Sequence, residues 1–177
     1  AANRSEIAIR IFRAAEELGI RTTAIYSKED RFALHRYKTD ESYLLENKKG
    51  PIQAYLDIDS IIRIAKNAEV DAIHPGYGFL SENPDFAQAC NKNGIIFIGP
   101  TPKILSKLGN KTEAIKVAKD ANIKTIPSIL INSQDNKKLE SEVEKIGYPI
   151  IIKASWGGGG RGMRIVYSKD ELFDQIK

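Results

Sequence analysis

At 177 residues the chain has room for one domain with a sound hydrophobic core plus part of a second, since domains commonly run to about 100–150 residues. Its 42% hydrophobic and 28% charged content excludes disorder, and its longest apolar runs, residues 95–98 and 150–152, fall far short of the roughly 20 residues a membrane-spanning helix needs. The net charge of +4 arises from 27 Lys and Arg scattered among 23 acids, which argues against a nucleic-acid surface.

In chain order, the first segment reads as a helix whose apolar stripe is Ile7, Ile11, Ala14, Ala15 and Leu18, closed by Gly19. Residues 22–26, β-branched and aromatic, read as a strand. A short basic helix over 32–37 and a strand over 42–45 follow, before Gly50-Pro51 breaks the pattern. Asp59 is the expected cap of a helix over 60–68, which leads into a strand over 70–74. Asn83 and Pro84 open another helix, which Gly94 closes ahead of a strand over 95–98. Short strands alternating with single helices predict parallel crossover units, hence a doubly wound α/β sheet with helices on both faces. Such a domain normally begins with a strand, yet only Ala1 and Ala2 precede the Asn3-Arg4-Ser5 turn, so the chain reads as starting inside one.

From residue 103 the pattern changes to helix on helix, over 103–108 and 111–121. A second unit then follows: a strand over 128–131, a helix over 136–146, a strand over 149–154, a glycine loop and a strand over 163–167. Ser168 and Glu171 form a capping box for a helix in which the chain stops, so both ends read as truncated. Cys90, on an apolar helix position, reads as a small buried hydrophobe, and with His35 and His74 far apart no metal cluster is recognisable.

The chemistry concentrates in Lys-Ala-Ser-Trp-Gly-Gly-Gly-Gly-Arg-Gly-Met-Arg over residues 153–164. Four successive glycines between strands are an entropically costly choice unless backbone N–H groups must close on a ligand. A nest of amides suits phosphate oxygens, and Lys153, Arg161, Arg164 and Lys169 add countercharge with no acid among them. A flexible hairpin turn is the competing reading. The loop is not a Walker A sequence, which opens a helix, and the turn at residues 3–6 lacks the spaced glycines of a dinucleotide fingerprint.

This segment resembles the glycine-rich loop of the biotin carboxylases, which have the ATP-grasp fold. Two further runs agree with that family in order and spacing: Ala-Asn-Arg-Ser-Glu-Ile-Ala over 2–8 and His-Pro-Gly-Tyr-Gly-Phe-Leu-Ser-Glu-Asn over 74–83. Gly109-Asn110-Lys111 resembles the family's nucleotide contact. Trp156, Ser5 and the run over 35–43 resemble the pyruvate carboxylases most, the biotin carboxylase subunits of acetyl-CoA and other acyl-CoA carboxylases being the alternative.

The resemblance implies a Rossmann-like pre-ATP-grasp domain over 1–109, a helical connector over 110–127 and a partial ATP-grasp lobe with a glycine-rich lid over 128–177. It implies that Lys111 and Lys153 contact ATP phosphates, that Gly157, Gly158, Gly159 and Gly160 fold over the triphosphate, and that Met163 lies against the adenine. Tyr77, Gly78 and Glu82 are expected at the bicarbonate and biotin pocket. Arg10, Arg13 and Glu17 are expected at a homo-oligomer interface, with a tetramer for the full-length enzyme. For Lys111 a solvated helix-start lysine, for His74 a satisfied structural histidine, and for the three interface residues a solvated helix face are the competing readings. The resemblance further implies Mg2+ or Mn2+, biotin attached covalently elsewhere, a biotin carrier domain and pyruvate as partners, and acetyl-CoA as activator. It puts the catalytic and metal-binding groups downstream of Lys177, so that these residues alone are inactive. A cytoplasmic bacterial or mitochondrial-matrix location is expected, with no nucleic acid or membrane partner.

Overall fold

In the computed structural model, which describes residues 1–46, 50–131, 136–153 and 162–176, the chain divides into two units, 1–109 and 110–177. In the first unit, α1 (Ser5–Glu17) ends where the Gly19 N–H bonds Glu16 O and the Ile20 N–H bonds Ala15 O, both at 2.9 Å. These bonds satisfy carbonyls that a helix end leaves open. β1 (Thr23–Tyr26) runs parallel to β2 (Glu41–Leu44), with Thr23 opposite Glu41. Between them, two 3₁₀ turns, Glu29–Phe32 and Leu34–Tyr37, replace the expected basic helix. Extended Ala33 separates them, and fully buried His35 ties the second to β1 through Ile25 O at 3.2 Å.

Pro51, expected to break the pattern, instead starts α2 (Pro51–Ala54), as its preset φ suits a first helical position. α3 (Ile58–Asn67) is capped by Asp57, not Asp59. Asp57 stands three residues before Ser60 and accepts its N–H at 3.0 Å, while Asp59 falls in the first turn. β3 (Ala72–Ile73) is parallel to β4 (Ile96–Phe97). α4 (Pro84–Lys92) joins them, capped as expected by Asn83, whose side chain accepts from the Phe86 N–H at 2.9 Å. α5 (Pro102–Gly109) completes the unit.

The architecture is α/β with parallel strands. Among the described residues these strands form two pairs, β1 with β2 and β3 with β4, in place of one continuous sheet. Ala1 and Ala2 run between the pairs: the Ala1 amino group donates to Thr23 O at 2.6 Å and the Ala2 N–H to His74 O at 2.9 Å. Beside them lies an apolar channel of about 640 Å³, lined by Ile7, Ile11, Leu18, Ile25, Ile64 and Ile73.

α1 keeps its expected apolar stripe on one face, and its most buried residues lie on another. The residues it buries fully are Ala8 and Phe12, against Ala24 of β1. Two alanines, both 0% exposed, let helix and strand approach closely, and the stripe from Ile7 to Leu18 lines the channel, with Leu18 left 74% exposed. The core proper gathers Tyr55, Ile61, Phe86, Cys90 and Phe97, with the Phe86 and Phe97 rings edge to face at 5.9 Å. No helix among the described residues is long and apolar enough to cross a membrane.

In the second unit Asn110 caps α6 (Lys111–Asp120), accepting from the Thr112 and Glu113 N–H groups at 2.9 and 3.3 Å. Residues 128–131 form no strand, a correction to the sequence reading: Ile129 packs on the core, but the segment pairs with no ladder partner among the described residues. α7 (Asn136–Ile146) has the expected bounds. β5 (Ile150–Ile152) is antiparallel to β6 (Arg164–Val166), and a 3₁₀ turn, Lys169–Glu171, precedes α8 (Leu172–Ile176). The expected capping box is not closed, since Glu171 accepts from the Tyr167 N–H at 3.0 Å and Ser168 makes no side-chain cap bond. Leu139, Val143, Val166 and Leu172 form this unit's core.

Candidate functional site

Open parallel sheets bind ligands beyond the carboxyl ends of their strands. The run over 74–83 leaves the carboxyl end of β3 and leads into α4. Here the structure brings Tyr77, Gly78 and Glu82 together within one exposed turn segment, tied internally by the Ser81 N–H to Gly78 O bond at 2.9 Å. His74 at its start is half-buried, and its Nδ1 accepts the Gly76 N–H at 3.0 Å. Burial lowers the His74 pKa, which keeps the ring neutral and Nδ1 free to accept. One of its ring nitrogens is thus engaged by the turn's own backbone.

What holds this segment comes from the chain's first residues. Asn3, 3% exposed, donates from Nδ2 to Pro75 O and to Tyr77 O, both at 2.8 Å. The Tyr77 hydroxyl donates to Glu6. Gly76 has φ +67°, and a Cβ there would stand 2.7 Å from Asn3 Nδ2, so only glycine fits the turn and its neighbour together. Gly78 has the same φ and open space around it.

Behind the turn lies a charged aromatic support. Arg4 Nη1 reaches Asp30 Oδ2 at 3.2 Å, and its guanidinium stands over the rings of Tyr55 and Phe79 at 5.8 and 5.9 Å. Tyr55 stacks on Phe79 at 5.1 Å and donates its hydroxyl to Asp30 Oδ2 at 2.8 Å. That hydroxyl also accepts the buried Ser27 N–H at 3.2 Å. Burial, reinforced by the bond to Asp30, pushes the Tyr55 pKa well above the ordinary tyrosine value. Sequence reasoning missed Asn3 as a clamp and missed Asp30 and Tyr55 altogether. For Asn3 the signal is its place in a family motif; for Asp30 and Tyr55 there is none.

The phosphate-binding candidates lie in the second unit. Ile152 and Arg164 are register partners, so Lys153 and Met163 stand at the end of the β5–β6 pair where the chain leaves β5 and enters β6, both exposed. Gly157, Gly158, Gly159, Gly160 and Arg161 lie outside the described residues. Lys111 is the first residue of α6, exposed, directly after the Asn110 cap. Two cations read as phosphate countercharge have other partners. Arg164 donates to Gln175 O at 2.7 Å, and Lys169 lies 3.0 and 2.9 Å from Glu140 and Glu144, whose hydrogen bonds raise its pKa. Among the described residues no group of three or more His, Cys, Asp or Glu could hold a metal ion. Arg10, Arg13 and Glu17 are exposed on α1.

Comparison with known proteins agrees with these segments. Residues 1–105 match the family model "Biotin carboxylase, N-terminal domain", and residues 110–177 match "Carbamoyl-phosphate synthase L chain, ATP binding domain". Pyruvate carboxylase of Bacillus subtilis is 57% identical over 171 residues, 97% of this chain and 15% of that protein. A structure of Rhizobium etli pyruvate carboxylase with the allosteric activator acetyl coenzyme A superposes with a TM-score of 0.87 at 52% identity, over 97% of this chain and 15% of that one. The biotin carboxylase domain of Hydrogenobacter thermophilus 2-oxoglutarate carboxylase, in complex with MgADP, ADP and bicarbonate, gives 0.90 at 42% identity, over 98% of this chain and 38% of that one. The chain thus spans about one-seventh of the length of the curated relative.

Proposed function

This chain belongs to the biotin carboxylase N-terminal domain family, and on that premise we propose that it is the front part of the biotin carboxylase region of a pyruvate carboxylase. The activity is an ATP-dependent ligase reaction. Bicarbonate attacks the γ-phosphorus of ATP and displaces ADP to form carboxyphosphate, which splits into CO₂ and phosphate; N1′ of a biotin carried elsewhere in the longer protein gives its proton to that phosphate and bonds the CO₂, which then passes to pyruvate in exchange for a methyl proton, forming oxaloacetate. The observation that carries this reading is the interlock of the 2–8 and 74–83 runs, which leaves Tyr77 and Gly78 exposed beyond the carboxyl end of β3. High identity to pyruvate carboxylases supports pyruvate as the acceptor.

In this reading Lys111 and Lys153 neutralise ATP phosphates as point charges, and Met163 offers an apolar surface to the adenine. Gly157, Gly158, Gly159 and Gly160 supply backbone amides and close as a lid that excludes water. Tyr77, Gly78 and Glu82 face bicarbonate and the biotin ring. Phosphoryl transfer depends chiefly on positioning and on neutralising charge spread over oxygens, so a division between aimed groups and point charges suits it. The described residues offer no cluster for Mg2+ or Mn2+, and no step is assigned to this chain through the metal.

The domains run 1–109, a connector 110–127 and a partial ATP-grasp lobe 128–177. A carrier domain brings the biotin, acetyl-CoA activates, and Arg10, Arg13 and Glu17 lie in a homo-oligomer interface of a tetrameric enzyme. Its place is anaplerosis and gluconeogenesis, in the bacterial cytoplasm or the mitochondrial matrix.

The test is the full-length protein containing this chain. It cleaves ATP only with bicarbonate, and forms oxaloacetate only when pyruvate is added. Lys153→Met raises KM for ATP by about tenfold or more, the loss expected for a charge-assisted hydrogen bond. ATP cleavage indifferent to bicarbonate refutes the carboxylase, and biotin carboxylation without transfer to pyruvate refutes only the acceptor.

A further inference from the structure

Asn3 joins two segments 72 positions apart while spending both its N–H donors on backbone carbonyls. A primary amide has two N–H donors and one carbonyl acceptor. In Asn3 the amide nitrogen serves Pro75 O and Tyr77 O, and Oδ1 accepts the Arg4 N–H at 2.9 Å. Buried and with both donors so engaged, Asn3 acts on its neighbours and presents no N–H to a substrate. A trans peptide points its C=O and N–H in opposite directions. With the Tyr77 carbonyl turned inward to Asn3, the Gly78 N–H points away from the clamp, on a residue that is itself exposed. The Ala2 N–H to His74 O bond anchors the backbone beside Asn3 to the same segment, so clamp and loop share one frame.

We propose that Asn3 is a positioning residue for carboxylation: its carboxamide sets the plane of the Tyr77–Gly78 peptide, and with it the aim of the Gly78 N–H at the bicarbonate and biotin pocket. This rests on the function proposed above. It adds a residue that acts only through its neighbours, with a definite chemical requirement of two donors facing two carbonyls. Alanine removes both donors. Aspartate, nearly isosteric, presents oxygens to the two carbonyls when ionised and regains one donor when protonated.

The experiment uses the full-length carboxylase with Asn3→Ala and Asn3→Asp, read by amide hydrogen exchange over residues 74–80 and by initial rates with free biotin, bicarbonate and ATP. Exchange is expected to quicken over 74–80 in both variants and stay unchanged in the rest of 1–109. Biotin-carboxylation kcat/KM falls about 10–100-fold, as misplacement of a reacting group by about 1 Å does, while KM for ATP stays at the wild-type value. The Asn3→Asp rate, taken relative to wild type at each pH, recovers as pH falls and the carboxyl takes up a proton. Unchanged exchange over 74–80, or equal losses on the ATP and biotin sides with exchange raised throughout 1–109, overturns the proposal. If the wild-type enzyme itself fails to carboxylate biotin, the carboxylase reading falls, and the exchange comparison alone then decides for or against the clamp.

Discussion

The tightest constraint in the site is the contact between Gly76 and Asn3, and substituting two glycines of one loop measures it. Gly76 and Gly78 share φ +67°, so alanine at either incurs the left-handed penalty of about 1–2 kcal/mol. At Gly78 nothing lies within 4 Å of the added Cβ, and that penalty is the whole effect. At Gly76 the Cβ falls 2.7, 3.1 and 3.2 Å from Asn3 Nδ2, Cγ and Cβ, contacts that a flexible side-chain tip cannot relieve. Asn3 must move, and its two clamp bonds, at about 0.5–1.5 kcal/mol each, are lost. Gly76→Ala is therefore expected to destabilise by about 2–5 kcal/mol and Gly78→Ala by about 1–2, a gap of about 1–3 kcal/mol. Urea unfolding of the chain followed by far-ultraviolet circular dichroism reads both, and in an Asn3→Ala background, which removes the two nearest atoms and both clamp bonds, the gap narrows. Equal penalties at the two glycines, or a gap undiminished by removal of the Asn3 side chain, refute the reasoning.

Three other outcomes follow from the same structure. Tyr55→Phe removes a donor to Asp30 and leaves the buried Ser27 N–H without its acceptor; a loss of about 1–3 kcal/mol in urea unfolding is expected, and a neutral result contradicts it. For His35, burial lowers the pKa; the Ile25 O bond and Asp30 oppose that, and Arg4 adds to it. The unfolded chain then takes up the proton first, so stability is full above about pH 6.5 and is lost as pH falls towards the lowered native value; His35→Phe flattens this slope, and an unchanged slope counts against it. Burial pushes the Cys90 thiol up to about 11, so at pH 8 about one thiol in a thousand is ionised and a thiol reagent modifies Cys90 only at the rate of unfolding; rapid labelling of the native chain refutes this.

Legibility from sequence tracks how local each cause is. The cap at Asn83 is readable because one side chain and an amide three residues on decide it; the cap at Asn110 has the same local form and goes unread. Asp57 and Asp59 show the limit: either suits a helix start, and the choice depends on which one stands three residues before a free N–H. Residues 128–131 have strand chemistry, yet a strand also needs a partner edge, which composition does not encode. In α1 periodicity and burial part company for a related reason. Apolar periodicity marks the wide stripe from Ile7 to Leu18, whereas burial goes to the two positions where small Ala8 and aromatic Phe12 meet Ala24. Within the candidate site, Tyr77, Gly78 and Glu82 are readable as parts of a contiguous motif. Arg4 and Phe79 belong to the two motif runs, but Asp30 and Tyr55, which meet them from elsewhere in the chain, leave no local trace.

The two halves of the proposed chemistry make different demands on the backbone, and the two units answer them differently. In the first unit Ser5 and Phe79, neither of them glycine, hold φ +58° and +42°, as Glu69 does at +50° away from the site, conformations that cost about 1–3 kcal/mol each and persist where the surroundings over-determine them. The surroundings here do so: Arg4 and Tyr55 pack on the Phe79 ring, and Asn3 fixes the turn just before it. Such strain is retained where direction matters, because an amide N–H aimed at an oxygen weakens steeply with angle. In the second unit the candidate lysines need no such scaffold. An ammonium on a four-carbon stem delivers charge over a wide cone, so a three-residue strand and a capped helix start suffice to present Lys153 and Lys111. Aimed groups on a strained, interlocked turn and charges on simple element ends are what a reaction needs when one partner must be oriented and the other neutralised.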